Sequence, residues 1–208
     1  MEALALLSSR RRGMAARRME AVQDRNRAAA EDPTLMAWAA GGDRLAFDQL
    51  VGRHLARVHG IAHRILRDPA AAEDATQDIW VQAWQQAGRF DPALGTVAAW
   101  LSRLAVSRSI DRLRRQRRQV TEALDLAAAV ADPGPGPEAG LAARQAAQAL
   151  ARAVAGLPAR QRAAIALVYD QELPGREAAA VLAVSPRGLE GLLRRARRLL
   201  GDRLGQRP

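Results

Sequence analysis

The chain contains no cysteine. Disulfides and thiolate metal sites are thereby excluded, and a reducing compartment suits the composition. Lysine is absent too, so all 32 basic residues are arginine. A GC-rich genome accounts for that bias, which is a mutational cause rather than a functional one. Set against 22 acidic residues, the arginines leave a formal charge of +10. Such an excess favours a polyanionic partner, either nucleic acid or an acidic membrane surface. The plainer alternative is a set of solvated arginine faces. Aromatics make up only 3%, which argues for small helical bundles over one large core. No apolar run approaches the roughly 18 residues of a membrane span. The N-terminal stretch MEALALLSSRRRGMAARRM places its apolar part before its charges, the reverse of a signal peptide. A cytoplasmic protein with no membrane insertion is expected.

What is abundant is Ala and Leu, both strong helix formers. The expected fold is all-α. A length of 208 residues suits one medium domain or two small ones. Asp132-Pro133-Gly134-Pro135-Gly136-Pro137 cannot continue a helix and reads as a flexible linker. Glu122, Asp125, Asp132 and Glu138 make that stretch acidic between basic flanks. The chain divides into an N-terminal extension at 1–31, a helical domain at 32–118, a linker at 119–141 and a second helical domain at 142–208. The extension is expected to be disordered or to precede the true start, which is open between Met1, Met14 and Met19.

Asp32-Pro33 and Asp68-Pro69 each supply an N-cap acceptor followed by Pro at the first helical position. Gly88 to Gly95 reads as a loop, after which Thr96 caps a helix running toward Arg118. Leu157-Pro158 opens a helix through about Asp170, and a short helix follows at about 175–182. Ser185 caps the last one, with Pro186 at its first position. Small Ala179 and Ala183, with apolar Val184 and Leu189 around the turn, match a helix-turn-helix, whose second helix enters the major groove. An ordinary three-helix bundle is the competing reading.

Three constellations carry chemistry. In the helix from Ser185, Leu189, Leu193, Ala196 and Leu200 form a buried stripe. Arg187, Glu190, Gly191, Arg194, Arg197 and Arg198 fall largely on other faces. Arg187 suits guanine O6 and N7, Glu190 suits cytosine N4, and the later arginines suit phosphates. The stretch from Arg108 to Arg118 is also basic, with Ile110 and Leu113 keeping one side apolar. Phosphate neutralisation is its obvious use; membrane-surface binding would want a larger, bulkier apolar face. Between these lies Glu73 to Trp84. At helical spacing Thr76, Trp80, Ala83 and Ala87 share one side, with Trp84 beside them. Glu73, Asp74, Gln77 and Asp78 gather on the other. An acidic and amide patch on a basic protein suggests a protein partner with basic groups, or else charge balancing. His59 and His63 share a helix face, but without Cys or HExxH they are expected to be ordinary surface or half-buried residues, as is His54. No metal, cofactor, small-molecule substrate or catalytic constellation is expected.

With these residues in place, the sequence resembles an extracytoplasmic-function (ECF) sigma factor of the σ70 family over about residues 34–204. LMAWAAGGDRLAFDQL, from Leu35 to Leu50, resembles the family's opening segment. DPAAAEDATQDIWVQAW, from Asp68 to Trp84, resembles its polymerase-binding helix. Phe90 to Arg118 resembles the melting loop and −10 helix. Leu157 to Leu200 resembles the −35 domain, through Leu157-Pro158, Gln161-Arg162 and Arg195-Ala196-Arg197. The resemblance implies a non-enzymatic subunit that binds core RNA polymerase and directs it to promoter DNA. Asp74, Gln77 and Asp78 would then meet the β′ clamp helices, and the start of the second domain would meet the β flap. Arg89, Phe90, Asp91, Trp100, Arg108, Asp111, Arg112, Arg114 and Arg115 would serve melting and the −10 element. Ser185, Arg187, Glu190, Arg194, Arg195, Arg197 and Arg198 would serve the −35 element. An anti-sigma factor is a further implied partner.

A linker of about 23 residues reaches at most ~80 Å. Promoter elements about 20 base pairs apart are separated by ~70 Å, so one chain can span both. The sequence departs from the family at several places. Gly175 stands where an aromatic is frequent. Ala183 stands at a usual turn Gly, which implies a negative φ or tolerated strain there. Gly188, Glu190 and Gly191 replace more typical Thr, Lys and Ser, so the −35 sequence does not transfer. Only Phe90 and Trp100 serve the melting segment, which predicts weak generic melting and dependence on a good promoter. The rival accounts are a stand-alone helix-turn-helix regulator and a nucleic-acid-processing enzyme. The first leaves Glu73–Trp84 and residues 88–118 without a purpose; the second lacks a catalytic constellation.

Overall fold

The computed structural model describes residues 26–122 and 141–205, with the side chains of 117–122 and 141–147 outside the description. The Pro/Gly linker and most of the N-terminal extension therefore lie outside the described residues. No strand occurs among those described. The helices are α1 (Asp32–Ala40), α2 (Arg44–Leu66), α3 (Pro69–Gln86), α4 (Val97–Glu122), α5 (Leu141–Ala155), α6 (Ala159–Ile165), α7 (Gly175–Val181) and α8 (Pro186–Gly205). Two 3-10 turns, Ala87–Arg89 and Pro92–Leu94, join α3 to α4, and a π-helical turn at Ala166–Asp170 extends α6.

Side-chain caps set four of these starts, that of α2 through Asp43, whose carboxylate accepts from Ala46 N. The Asp68 carboxylate accepts from Ala71 N at the head of α3. Thr96 Oγ1 accepts from Ala99 N before α4, and Ser185 Oγ accepts from Gly188 N before α8. Each satisfies one backbone N–H that the first turn leaves without an intrahelical partner.

The expected Asp32 cap is corrected. Glu31 holds the N-cap position with no side-chain cap bond, and Asp32 is the first helical residue. Its carboxylate instead accepts from Arg53 at 2.9 Å and pairs with His54 Nε2 at 2.6 Å. Burial works against the carboxylate, yet the bonds to Arg53 and His54 outweigh it and hold the Asp32 pKa below its ordinary value. Residues just before α1 also make contacts with α2 and its N-cap. Residues 26–29 are helical, Arg53 binds the carbonyls of Ala28 and Ala30, and Arg27 pairs with Asp43 at 3.0 Å.

Helices α1 to α4 pack around Leu35, Met36, Leu50, Ile61, Ile65, Ile79 and Leu101, all essentially inaccessible. Phe47 stands edge-on to Trp80 and Trp84, with ring centroids 5.7 and 5.1 Å away. Helices α5 to α8 surround Leu157, Leu167, Leu182, Leu189 and Leu193. Two small helical bundles are present as expected; one contiguous apolar cluster, from Leu35 through to Leu193, joins them, and a second, of Val154, Leu157 and Ala196, lies beside it. Alanine explains it. Ala163, Ala164, Ala166, Ala178 and Ala179 are all buried, and such small side chains let helices approach without large aromatics.

Between α7 and α8 the chain closes α7 with two reversed bonds, Ala183 N to Ala180 O and Val184 N to Ala179 O. This is the Schellman closure, which requires a left-handed residue and usually takes glycine. Ala183 adopts φ 50° there. Of the alternatives posed by the sequence, the strained one holds.

Candidate nucleic-acid interface

Helix α3 separates its two faces as its periodicity requires. Thr76, Trp80, Ala83 and the following Ala87 are buried; Glu73, Asp74, Gln77 and Asp78 are exposed. Val81, also exposed, sits among them. The outward face therefore offers carboxylates and an amide around one apolar side chain.

Helix α4 crosses next to it. Ser102 and Ser109 are inaccessible, and Ile110 and Leu113 pack against the core. Two arginines of α4 reach back to α3. Arg112 Nη2 donates to Asp74 Oδ2 at 2.8 Å, and Arg108 Nε donates to Gln82 Oε1. Arg114 lies 3.6 Å from Asp111 on the same helix, and Arg115 is exposed. Residues expected to contact DNA and residues expected to dock on a protein are thus bonded to one another.

The loop before α4 is built locally. Asp91 accepts from Ala93 N at 2.9 Å, Pro92 opens the second 3-10 turn, and Gly95 at φ 139° takes a conformation that L side chains rarely adopt. Phe90 and Trp100 meet edge-to-face with centroids 6.1 Å apart. Arg89 and Asp91 are exposed, and Leu94 projects with 79% of its surface accessible.

On α8, Arg187, Glu190, Arg194, Arg195, Arg197 and Arg198 are all exposed, while Leu189, Leu193 and Ala196 are buried and Leu200 is half-buried. Gly191 departs from the expected outward position and is buried. A Cβ there would lie 3.4 Å from Arg195 Nη1, an ordinary van der Waals contact. Ser185 is exposed, with its hydroxyl oxygen occupied as the cap.

Of the histidines, His54 is buried against Asp32, and His59 and His63 are half-buried and stacked at 5.9 Å. Among the described residues no group of three or more His, Cys, Asp or Glu could hold a metal ion. No described helix is long and apolar enough to cross a membrane.

Sequence reasoning overlooked the arginines between the two halves of the chain. Arg64 makes a bidentate pair with Asp170 at 2.8 and 3.2 Å. Arg57 donates to the Gln171 carbonyl and Arg67 to that of Ala155. Arg162, only 4% accessible, donates to the carbonyls of Ile65 and Leu157. Arg57 and Arg64 lie two helical turns apart on one side of α2. That spacing was the available signal, although carbonyl acceptors leave no trace in a sequence.

Comparison with known proteins follows the same division. Residues 50–119 match the family model described as Sigma-70 region 2, and residues 147–200 match Sigma-70, region 4. The ECF RNA polymerase sigma factor SigK of Mycobacterium sp. (strain KMS) is 40% identical over 99 residues, covering 48% of this chain and 51% of that protein. SigK of Mycolicibacterium vanbaalenii is 36% identical over 104 residues, or 50% of this chain and 53% of that one. The matched stretch thus spans about half the length of these relatives. Among solved structures, CnrH in complex with the cytosolic domain of CnrY superposes with a TM-score of 0.61 at 29% identity, over 85% of this chain and 99% of that one. RpoE in complex with the anti-sigma factor NepR from Bartonella quintana shares the fold, with a TM-score of 0.66 at 22% identity over 78% of this chain and 98% of that one.

Proposed function

The chain belongs to the ECF group of the sigma-70 family, and on that premise we propose that it is an alternative sigma factor that binds core RNA polymerase and directs promoter-specific initiation. It performs no catalytic step of its own and works in the cytoplasm. One observation carries the reading. A single chain presents an exposed carboxylate and amide face on α3 and exposed arginines on α4 and α8. A DNA-binding regulator has no use for the first surface.

Asp74, Gln77 and Asp78 dock on basic groups of the β′ clamp helices, and the start of the second domain meets the β flap. Arg89, Phe90, Asp91 and Trp100 form the strand-opening end, and Arg108, Asp111, Arg112, Arg114 and Arg115 line the −10 DNA. The Phe90–Trp100 pair stacks on an unpaired base, an interaction worth roughly 1–3 kcal/mol. At the −35 element Arg187 and Glu190, near the N-terminal end of α8, read base edges. Arg194, Arg195, Arg197 and Arg198 grip phosphates, and Ser185 fixes the helix start. The NepR complex, a relative in fold bound to an anti-sigma factor, supports an anti-sigma partner for this chain as well.

The test is co-elution with core polymerase in size-exclusion chromatography, beside a Gln77→Arg/Asp78→Arg variant that keeps the Asp74–Arg112 pair. Wild type should co-elute and the variant should not. Wild type that ignores core yet binds duplex DNA sequence-specifically would make it a stand-alone regulator.

A further inference from the structure

Gly188, Glu190 and Gly191 depart from the residues typical of the family on the −35 helix, so what α8 reads has to follow from its own side chains. In its first two turns few are available. Leu189 and Gly191 are buried. Ser185 uses its hydroxyl oxygen as the cap, and Pro186 has no hydrogen-bonding side chain. Gly188 offers none either, and a Cβ there would stand 3.2 Å from Val184 Cβ and 3.3 Å from Ser185 Oγ, close enough to crowd the cap. Arg187 and Glu190 remain. Both are exposed, and neither side chain has a hydrogen-bond or ion-pair partner among the described residues.

Three residues apart on a helix, the two side chains share a face and stand ~4.5 Å apart along its axis. Successive base pairs are ~3.4 Å apart, so the two side chains meet neighbouring pairs. The Arg187 guanidinium suits guanine O6 and N7. The Glu190 carboxylate is an acceptor only and suits cytosine N4. Adenine N6 also donates, but the N7 acceptor beside it would face the carboxylate as well. The carboxylate is the informative group. Phosphates attract the exposed Arg194, Arg195, Arg197 and Arg198 of the same helix and repel Glu190. Even Arg194, four residues on and at a spacing that suits an ion pair, does not pair with it. Against DNA such a carboxylate is unfavourable everywhere except where a base offers it a donor. It therefore rejects wrong sequences as well as holding the right one.

We propose that Glu190 sets the −35 specificity of this chain by rejection: with Arg187 it reads two neighbouring G·C pairs, one presenting guanine to Arg187 and the other presenting cytosine N4 to Glu190, and it excludes other bases from the second position. The proposal rests on the sigma reading above and names the DNA sequence that reading leaves open.

The test is selection by holoenzyme. Core polymerase carrying the wild type, Glu190→Gln or Glu190→Lys is given a library of duplex fragments with randomised sequence, and the bound fragments are sequenced. Wild type should enrich two adjacent G·C pairs in the upstream element. Glu190→Gln should move the preference at one of them from cytosine to adenine, and Glu190→Lys from cytosine to guanine, with the Arg187 position and the −10 element unchanged. On a selected fragment, replacing that cytosine should weaken wild-type binding roughly 5- to 150-fold. The same replacement should matter far less to Glu190→Ala, which should also bind unrelated duplex DNA more tightly than wild type does. Glu190 is exposed, so circular dichroism of the variants should match that of the wild type. An upstream preference that is the same in wild type and in both variants overturns the proposal and leaves the sigma reading standing. So does a wild-type upstream element without adjacent G·C pairs. Failure of the wild type to bind core removes both.

Discussion

Arg112 of α4 donates to Asp74 of α3 across 2.8 Å, and the two residues belong to surfaces assigned to different partners. On the proposed roles Arg112 serves DNA and Asp74 serves polymerase, so in the free protein each occupies the other's charge. Both are partly solvated, at 31% and 65% side-chain exposure. An exposed pair of this kind is worth about 0.2–1 kcal/mol. That is small, and it sets the size of the effect.

Asp74→Ala should therefore release Arg112 and raise the affinity of the free protein for non-specific duplex DNA by up to about fivefold. One further phosphate contact should steepen the slope of log affinity against log salt by about 0.9. Fluorescence anisotropy at several salt concentrations measures both. An unchanged slope would mean that Arg112 gains no phosphate when freed.

How much of this was readable depends on the range of the interaction. The caps at Asp68, Thr96 and Ser185 were legible because donor and acceptor lie three residues apart. The two faces of α3 were legible because helical periodicity alone sorts Thr76 and Trp80 from Asp74 and Asp78. Asp32 resembled a cap locally, but its partners Arg53 and His54 lie 21 and 22 residues away. Helix α5 was not foreseen as a helix, since its start follows directly on the Pro/Gly linker. The contact between the two halves of the chain was hidden for the same reason as the Asp32 cluster: Arg162 meets Ile65 across 97 residues. The sequence suggested Ala183 as a departure from the usual turn glycine, and only the backbone shows that the strained option is taken.

Ala183→Gly should stabilise the protein. A left-handed alanine costs roughly 1–2 kcal/mol relative to a residue without Cβ, less the greater freedom glycine has when unfolded. A net gain of about 1 kcal/mol raises the melting temperature by about 3 °C in a chain of this size. Thermal unfolding followed by circular dichroism reads it directly, and a drop in Tm would show that the turn is unstrained.

Truncating Arg162 should be severe. Arg162→Met leaves the carbonyls of Ile65 and Leu157 buried without their donor, a loss of about 3–5 kcal/mol. The expected fall in Tm is about 10 °C or more. A change within a degree or two would mean that water replaces the guanidinium and that the contact is wet.

Acid should find the Asp32 cluster. A carboxylate held below its ordinary value of 3.8 contributes stability above that pH and loses it as pH falls through the lower, folded value. Asp32→Asn should thus be less stable than wild type at pH 7, with the gap closing below about pH 3.8. Urea unfolding at neutral and acid pH tests this. A gap that widens in acid would reverse the sign and remove the ion pair as its cause.

Transcription itself tests the central claim most directly. Core polymerase, with and without this protein, is given fragmented DNA from the protein's own genome, and the 5′ ends of the transcripts are sequenced. The account predicts a set of start sites that require the protein and share two sequence elements about 20 base pairs apart, with starts lost for the Gln77→Arg/Asp78→Arg variant. No protein-dependent starts, in a preparation where core is active with another sigma factor, would contradict it.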